Sequence, residues 1–185
     1  MFATLTYSRA QVRRFREAHK VEEYGRHRHL YLHEKMKLLA RQLRAARPAA
    51  SLSWLDYGCG KGGFIEQIRP LGLFDVIGGF DPAVPAFEAR PTGRYDLVTC
   101  LHVLDVVEPR FLPAVLSDIC DLTASLALFD VMTKPKGQWL KPHPPYYWTS
   151  LVRQHMPVRD FWVEYGGMAG YERVLILAEP APPSQ

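Results

Sequence analysis

The chain has 185 residues, of which 48% are hydrophobic and 23% are charged, a length and composition typical of one soluble globular domain. It contains no apolar run of the ~18 residues that a transmembrane helix requires, and residues 1–14 lack the apolar core of a signal peptide, so we expect a cytoplasmic protein. Cys59, Cys100 and Cys120 do not have the paired spacing of metal ligands. We therefore expect reduced thiols, without a disulfide or a bound metal.

Basic residues are concentrated near the N-terminus. The formal net charge is +4, and the segment from Arg9 to Arg47 contains nine arginines and three lysines against four glutamates. Such a segment either forms the solvated face of helices or makes an electrostatic contact with phosphates, including those of a nucleic acid. The sequence leaves both interpretations open.

Helices and strands alternate along the chain. Hydrophobic periodicity, proline and glycine predict helices over 9–24, 28–46, 61–69, a stretch that begins at Pro109, and 146–155. The same signals predict strands over 52–56, 74–80, 95–100, 125–132, 161–165 and 173–178. This order predicts an α/β fold with a Rossmann-like, doubly wound sheet in a three-layer αβα arrangement. We expect the sheet to be mostly parallel with an antiparallel C-terminal strand, and the chain to carry an N-terminal helical extension.

The predicted organisation is a single domain over 1–185. Within it we expect a helical cap over 1–48, a core over 52–178 and a flexible tail over 179–185, because the tail is rich in proline and lacks periodicity.

A glycine-rich segment over 52–63 is the most informative part of the chain. Its apolar run ends at Asp56 and is followed by Gly58, Gly60 and Gly62, and then by a helical pattern. Glycines permit a positive φ and let the backbone approach a ligand without an intervening Cβ. This order of strand, loop and helix predicts a site for a nucleotide-like cofactor at the carboxyl end of the first strand.

Three segments together resemble the motifs of class I S-adenosylmethionine-dependent methyltransferases. Residues 55–62 resemble the first motif, Asp81 matches the acid at the end of the second strand, and residues 95–109 resemble the fourth-strand motif and the helix after it. The resemblance covers roughly Leu52 to Ala178 and implies S-adenosylmethionine as the cofactor.

The resemblance also implies the cofactor contacts. They are Asp56, Gly58, Cys59, Gly60, Gly62, Asp81, Pro82, Leu101 and His102. The glycines would approach the methionine part of the cofactor, and Asp56 would hold the turn or meet the ammonium group. Asp81 would accept hydrogen bonds from both ribose hydroxyls. Leu101 and His102 would lie near the sulfonium and its methyl group.

The segment between Asp81 and Tyr95 departs from the family pattern. It has only 13 residues, three of them prolines, so we expect the helix found there in the family to be lost and the next strand to be short or absent. It also lacks an obvious match to the acid that contacts the adenine amino group in the family. We expect Val84 or Phe87 to cover the adenine ring instead.

The candidate catalytic residues are His102, His143 and Tyr147. His143 and Tyr147 lie in an aromatic, proline-framed segment after the predicted strand over 125–132. A histidine titrates near neutral pH and can act as a general base, and a tyrosine ring can line an acceptor pocket. In the structural alternatives, His102 closes its strand, His143 caps the next helix and Tyr147 anchors that helix. Asp105 is interpreted as an acid at the start of a helix.

We predict a methyltransferase that modifies an O or N atom of a small-molecule acceptor, including acceptors that carry phosphate. The sequence lacks Asn-Pro-Pro-Tyr and Asp-Pro-Pro-Tyr after the fourth-strand motif, and it lacks Pro-Cys, which argues against two classes of nucleic-acid methyltransferase. Two alternatives stay open: a nucleic-acid methyltransferase that uses the basic N-terminal helices, and a non-catalytic binding subunit with this fold. The glycines also match a dinucleotide-binding fingerprint, but no hydride-transfer half follows.

Overall fold

The computed structural model describes residues 30–133, 142–166 and 171–180 of the chain. The backbone divides into two compact units, Met1–Pro91 and Thr92–Gln185.

Several predicted segments lie outside the described residues. These are the helix over 9–24, the loop over 134–141, the hairpin turn over 167–170 and the end of the tail. Among the helices that are described, none is long and apolar enough to cross a bilayer.

The described part of the first unit, residues 30–91, contains two α-helices and two strands. They are α1 (Leu30–Ala46), β1 (Ser53–Tyr57), α2 (Gly63–Ile68) and β2 (Val76–Phe80). The two strands pair in parallel, and Asp56 lies opposite Gly79. The indole ring of Trp54 packs edge-on against Phe64, with 5.6 Å between ring centroids, and tilted against Phe74 at 5.7 Å. This apolar cluster lies beneath the glycine loop that joins β1 to α2.

The predicted helix over 28–46 is confirmed in its described part. Its buried residues recur at intervals of three and four: Leu32, Met36, Leu39 and Leu43. The α-helix ends at Ala46, shortly before Pro48. The apolar periodicity also predicts Ala46 on this face, but Ala46 is exposed at the last position of the helix, so the buried face is confirmed only from Leu32 to Leu43.

Strand β2 begins later than the sequence predicts. The prediction placed its start at Phe74, but the N–H groups of Asp75 and Val76 both donate to the carbonyl of Leu52, at 2.8 and 3.1 Å. The chain therefore turns at this point before it extends. Phe74 packs in the apolar cluster with Trp54 instead of forming part of the strand.

In its described residues the second unit contains four strands and two α-helices. They are β3 (Tyr95–Leu101), α3 (Leu112–Leu122), β4 (Thr123–Met132), α4 (Pro145–Arg153), β5 (Val158–Gly166) and β6 (Tyr171–Ala178). Their strand order is β3-β4-β6-β5. β3 and β4 are parallel, whereas β6 is antiparallel to both β4 and β5. The predicted antiparallel C-terminal strand is therefore confirmed.

The helix predicted to begin at Pro109 starts as a short 3₁₀ turn over Pro109–Phe111, and the α-helix begins only at Leu112. Pro113 has no N–H to donate, so it is compatible only with the first turn of an α-helix. The apolar face of the helix is buried as predicted, with Val115, Leu116 and Ile119 in the core.

Candidate functional site

The glycine loop after β1 is fixed to the end of β2 by backbone hydrogen bonds. The N–H groups of Gly58 and Cys59 both donate to the carbonyl of Phe80, at 2.6 and 3.2 Å. Gly58, Gly60 and Gly62 have φ values of 78°, 55° and 83°. Because L-residues with a side chain rarely adopt this left-handed region, the loop conformation depends on glycine. The sequence-based expectation of positive φ in this loop is confirmed.

Asp81 joins this loop to the segment that follows β2. Its side chain is only 5% exposed. One carboxylate oxygen, Oδ2, accepts the N–H of Gly60 at 2.9 Å, and Oδ1 accepts the N–H of Ala83 at 2.8 Å. An ionised carboxylate can accept about four hydrogen bonds, so it can hold two backbone N–H groups and a diol at the same time. The arrangement fits a ribose-binding acid.

Two other predicted contact residues, Asp56 and Cys59, are buried in the same unit. Asp56 is 3% exposed. Burial raises the pKa of the Cys59 thiol, and the carboxylates of Asp56 and Asp81 raise it further. Cys59 therefore stays protonated at neutral pH and is unsuited to act as a nucleophile. The electrostatic character of the site comes from the two carboxylates.

Residues 82–94, all of which are described, form neither helix nor strand. The expected loss of the helix is thus confirmed. The segment folds into successive turns, in which the N–H of Val84 donates to Asp81 and the N–H of Phe87 donates to Val84, at 3.1 and 2.8 Å. The N–H of Asp81 in turn donates to the carbonyl of Phe87 at 2.9 Å. Pro82 is half-buried directly after Asp81.

The ring of Phe87 packs against two glycines of the first unit. A Cβ built on Gly62 would lie 2.9 Å from Cζ of Phe87, and a Cβ on Gly79 would lie 2.9 Å from its Cδ1. Both distances are too short for a side chain. The sequence gives a reason for glycine at position 62 in terms of the ligand, and the structure adds a second reason, which is the space needed for Phe87.

His102 lies in the second unit, directly after β3 and its last residue Leu101. Its φ of 56° is the only positive value for a residue other than glycine in the described part of the chain. Its N–H donates to the carbonyl of Asp130 at 2.8 Å. The ring nitrogens face two buried carboxylates: Nε2 is 3.5 Å from Oδ2 of Asp130, and Nδ1 is 3.8 Å from Oδ2 of Asp105.

Arg173 of β6 extends this cluster. Its guanidinium is 3.9 Å from the Asp130 carboxylate and forms an ion pair with Glu164 at 2.7 Å. The interpretation of Asp105 as an acid at the start of a helix is wrong, because the next helical turn begins only at Pro109 and the buried Asp105 side chain faces His102. No local sequence signal indicates that these residues meet, since they come from three strands and one loop.

The charges around His102 determine its titration. Burial alone lowers the pKa of the imidazole, but the carboxylates of Asp105 and Asp130 outweigh this effect and the opposing charge of Arg173, so the net pKa is raised. The side chain is 36% exposed, so solvent screens part of this interaction. The surroundings therefore shift the equilibrium of His102 towards the imidazolium form, which donates hydrogen bonds and does not accept a proton.

We predict that His102 stabilises the protein mainly at acidic pH. Because its pKa is raised by folding, its contribution is fully present below the unfolded pKa of about 6.5 and is lost as the pH rises through the higher folded value. Urea unfolding of the wild type and of His102→Gln should therefore show a larger loss of stability at about pH 5.5 than at about pH 8.5. An equal loss at both pH values for His102→Gln would contradict the prediction.

His143 and Tyr147 are brought together in the second unit. Their rings stack in parallel, with 3.9 Å between centroids and 13° between planes, and the ring of Trp148 lies edge-on to both. The N–H of His143 donates to the carbonyl of Thr133 at 2.9 Å. Trp148 is 1% exposed and anchors α4 in the core. No side chain caps α4, so the alternative in which His143 caps this helix is wrong.

Sequence-predicted site residues therefore fall into separate groups. Asp56, Gly58, Cys59, Gly60, Gly62, Asp81 and Pro82 are gathered at the carboxyl ends of β1 and β2 in the first unit. In the second unit, Leu101 and His102 end β3, and His143 stacks on Tyr147. In the described ranges, no group of three or more His, Cys, Asp or Glu side chains is arranged to hold a metal ion.

Comparison with known proteins identifies the family. The sequence profile of the methyltransferase domain family matches residues 24–164. No curated protein is significantly similar to the chain in sequence.

Three solved structures illustrate the similarity of the fold. The N-methyltransferase NodS of Bradyrhizobium japonicum WM9, in complex with S-adenosyl-L-homocysteine, is 13% identical, with a TM-score of 0.62 over 91% of this chain and 99% of that one. The 1,6-didemethyltoxoflavin-N1-methyltransferase of Burkholderia thailandensis is 14% identical, with a TM-score of 0.62 over 97% and 93%. The magnesium protoporphyrin IX methyltransferase of Synechocystis PCC 6803 is 15% identical, with a TM-score of 0.61 over 97% and 100%.

These comparisons confirm the predicted Rossmann-like fold. The family profile matches well over half of the sequence. The chain therefore belongs to the class I S-adenosylmethionine-dependent methyltransferases.

Proposed function

We propose that this protein transfers the methyl group of S-adenosylmethionine to an O or N atom of a small-molecule acceptor. The observation that carries the proposal is Asp81, a buried carboxylate at the end of β2 that is oriented by the N–H groups of Gly60 and Ala83. A carboxylate held in this way is pre-organised to accept hydrogen bonds from both hydroxyls of a ribose, so little ordering is needed when the cofactor binds.

The first unit offers complementary chemistry for the rest of the cofactor. Asp56 is a buried acid suited to a cationic ammonium group. The loop from Gly58 to Gly62 exposes backbone without side chains to the methionine part. When bound, S-adenosylmethionine supplies a methyl group that its sulfonium has already activated, so the protein mainly needs to align the acceptor and remove a proton.

His143 is our candidate for the general base, and Tyr147 is the residue that orients it. The parallel stack fixes the plane of the imidazole, and the backbone N–H of His143 donates to the carbonyl of Thr133. The residue is therefore held at two points. His102 is less suited to accept a proton because its raised pKa favours the imidazolium. We propose that it acts as a hydrogen-bond donor.

Two observations support a small acceptor. The Burkholderia enzyme was crystallised with 1,6-didemethyltoxoflavin, and the Synechocystis enzyme is named for magnesium protoporphyrin IX, so two proteins of similar fold act on small molecules. In α1, Lys37 is paired with Glu34 and Arg44 with Asp75. These pairs favour the interpretation of the basic helix as a solvated face.

The proposal is tested by methyl transfer to a panel of small amines, phenols, carboxylates and phosphorylated metabolites, with release of S-adenosylhomocysteine as the readout. RNA and DNA oligonucleotides are included in the same panel. We expect turnover with at least one small molecule and none with the oligonucleotides. Turnover only with oligonucleotides would favour the nucleic-acid alternative. Cofactor binding without turnover on any acceptor would favour the binding subunit.

With an acceptor in hand, His143→Asn should lower kcat at least about 100-fold, because general-base catalysis contributes about 10²–10⁴-fold. Tyr147→Leu removes the stacking partner and should lower kcat by a smaller factor of about ten, since the base is retained but less well positioned. Tyr146→Phe is the matched control, because this neighbouring tyrosine is 72% exposed. Wild-type kcat in His143→Asn would contradict the assignment.

A further inference from the structure

Phe87 is the one aromatic side chain of the short segment over 82–94. Its half-buried ring contacts the glycine loop at Gly62 and strand β2 at Gly79. The carbonyl of Phe87 accepts the N–H of Asp81 at 2.9 Å. The backbone of Phe87 is therefore fixed to that of Asp81, and its ring is held against the glycine loop.

This pairing limits where the base of the cofactor can lie. If Asp81 holds the ribose hydroxyls, the base is attached to that sugar by a single glycosidic bond and must lie within a few ångströms of it. Phe87 has the largest apolar side chain of the short segment, and its ring lies against Gly62 of the same loop whose Gly60 N–H donates to the Asp81 carboxylate. A phenyl ring contacts a planar base through dispersion and stacking, which depend little on the groups at the base edge.

Apart from Asp56 and Asp81, the described part of the first unit lacks a buried carboxylate that could accept a hydrogen bond from the amino group at the edge of the base. Glu88 is the only acid in the segment, and its side chain is exposed. Elsewhere in the described part of the first unit, Glu34 pairs with Lys37, Asp75 accepts the N–H of Leu52, and Glu66 is exposed. Asp56 and Asp81 are assigned above to the ammonium and the ribose.

We infer that Phe87 binds the cofactor base through its ring alone and that this protein does not discriminate at position 6 of the purine. The inference rests on the proposed function, because it requires a nucleoside cofactor whose ribose lies on Asp81. A site with a carboxylate at the amino group would reject a 6-oxo base strongly, because its oxygen would face the carboxylate. A site formed by an aromatic face would accept both bases.

The test compares two ligands on the wild-type protein by calorimetric titration. They are S-adenosylhomocysteine and S-inosylhomocysteine, in which a 6-oxo group replaces the amino group. We expect dissociation constants that differ by less than about tenfold, against the 10⁴-fold or more of sites built to hydrogen-bond the distinguishing group. A larger ratio in favour of the adenosine form would overturn the inference and leave the proposed function intact. Failure of S-adenosylhomocysteine to bind would instead overturn the proposed function itself.

Two variants of Phe87 distinguish a side chain that contacts the base from one that only supports the glycine loop. Phe87→Ala should weaken both ligands by the same factor, about tenfold, as expected for the loss of an aromatic stacking partner. Phe87→Leu keeps an apolar side chain against Gly62 and Gly79, so it should recover the thermal midpoint but not the affinity. Wild-type affinity in Phe87→Leu would show that the residue acts only as a support, and would overturn the inference.

Glu88→Gln is the matched control that tests whether an acid of this segment forms a hydrogen bond with the amino group of the base. It removes the only carboxylate of the segment and should leave both dissociation constants unchanged. Selective weakening of the adenosine form in this variant would assign recognition of the amino group to Glu88 and would also overturn the inference.

Discussion

Replacement of Asp81 by asparagine is expected to weaken the binding of S-adenosylmethionine at least about 100-fold. The carboxylate is expected to accept two hydrogen bonds from ribose hydroxyls, and hydrogen bonds to a charged group contribute about 1.5–3 kcal/mol each. Asparagine keeps one neutral acceptor, so one of these bonds is lost and the other is weakened, about 3 kcal/mol in total, and each ~1.4 kcal/mol is a factor of ten in the dissociation constant. Calorimetric titration of the wild type and of Asp81→Asn measures the effect directly.

The same substitution also tests how the apo site is held together. The Asp81 carboxylate accepts the N–H groups of Gly60 and Ala83. An asparagine amide can accept at its oxygen but presents its own N–H groups on the other side, so one backbone donor loses its partner. We expect this to cost about 1–3 kcal/mol of stability, which denaturant unfolding without ligand will show separately.

Glu66→Gln is the control for this experiment, because it removes one negative charge from an exposed position of α2 in the same unit. Its affinity and stability should match the wild type. The prediction fails if Asp81→Asn binds the cofactor as tightly as the wild type does while remaining folded.

The glycine loop could be predicted from the sequence because its determinants are local. The apolar run of β1 ends just before Gly58, Gly60 and Gly62, so neighbouring residues alone indicate both the end of the strand and a left-handed backbone after it. The structure shows positive φ at all three glycines. Asp81 could also be predicted, since an acid directly after a predicted strand is placed by the end of that strand, here the buried Phe80. Parallel pairing of β1 and β2 then brings it to the loop.

The cluster around His102 could not be predicted, because its members are far apart in sequence. Asp105 and Asp130 face the imidazole, and Arg173 pairs with Asp130, only after a loop and three strands are in register. Taken by itself, the local sequence around each of these residues is also compatible with a different role. Asp105, for example, resembles an acid at a helix start until its burial against His102 is known.

Phe87 shows a third case, because the sequence suggests Val84 or Phe87 as the cover of the adenine ring but indicates the contacts of neither side chain. That the ring of Phe87 packs against Gly62 and Gly79 depends on the course of the turns between Asp81 and Phe87. No periodicity describes such a course, so the second reason for glycine at position 62 appears only in the folded chain.

Gly62→Ala is expected to destabilise the protein by about 2 kcal/mol or more, whereas Gly63→Ala is expected to be neutral or slightly stabilising. Gly62 has φ +83°, a conformation that costs a residue with a Cβ about 1–2 kcal/mol. Its added Cβ would also lie 2.9 Å from the ring of Phe87, which must move. Gly63 has no positive φ and no atom within 4 Å of an added Cβ, so alanine there only improves helix propensity.

These two adjacent glycines form a matched pair, because they differ in backbone conformation and in contact with Phe87. Denaturant unfolding of both variants measures the difference, and equal stabilities would contradict the prediction.

Adding Phe87→Ala to Gly62→Ala separates the steric cost from the cost of the backbone conformation. The double variant should lose the steric part of the cost and keep the part that arises from φ, so the two substitutions should not be additive. Strict additivity would mean that the glycine is required for the backbone conformation alone, and that Phe87 adapts to a Cβ at position 62 without cost.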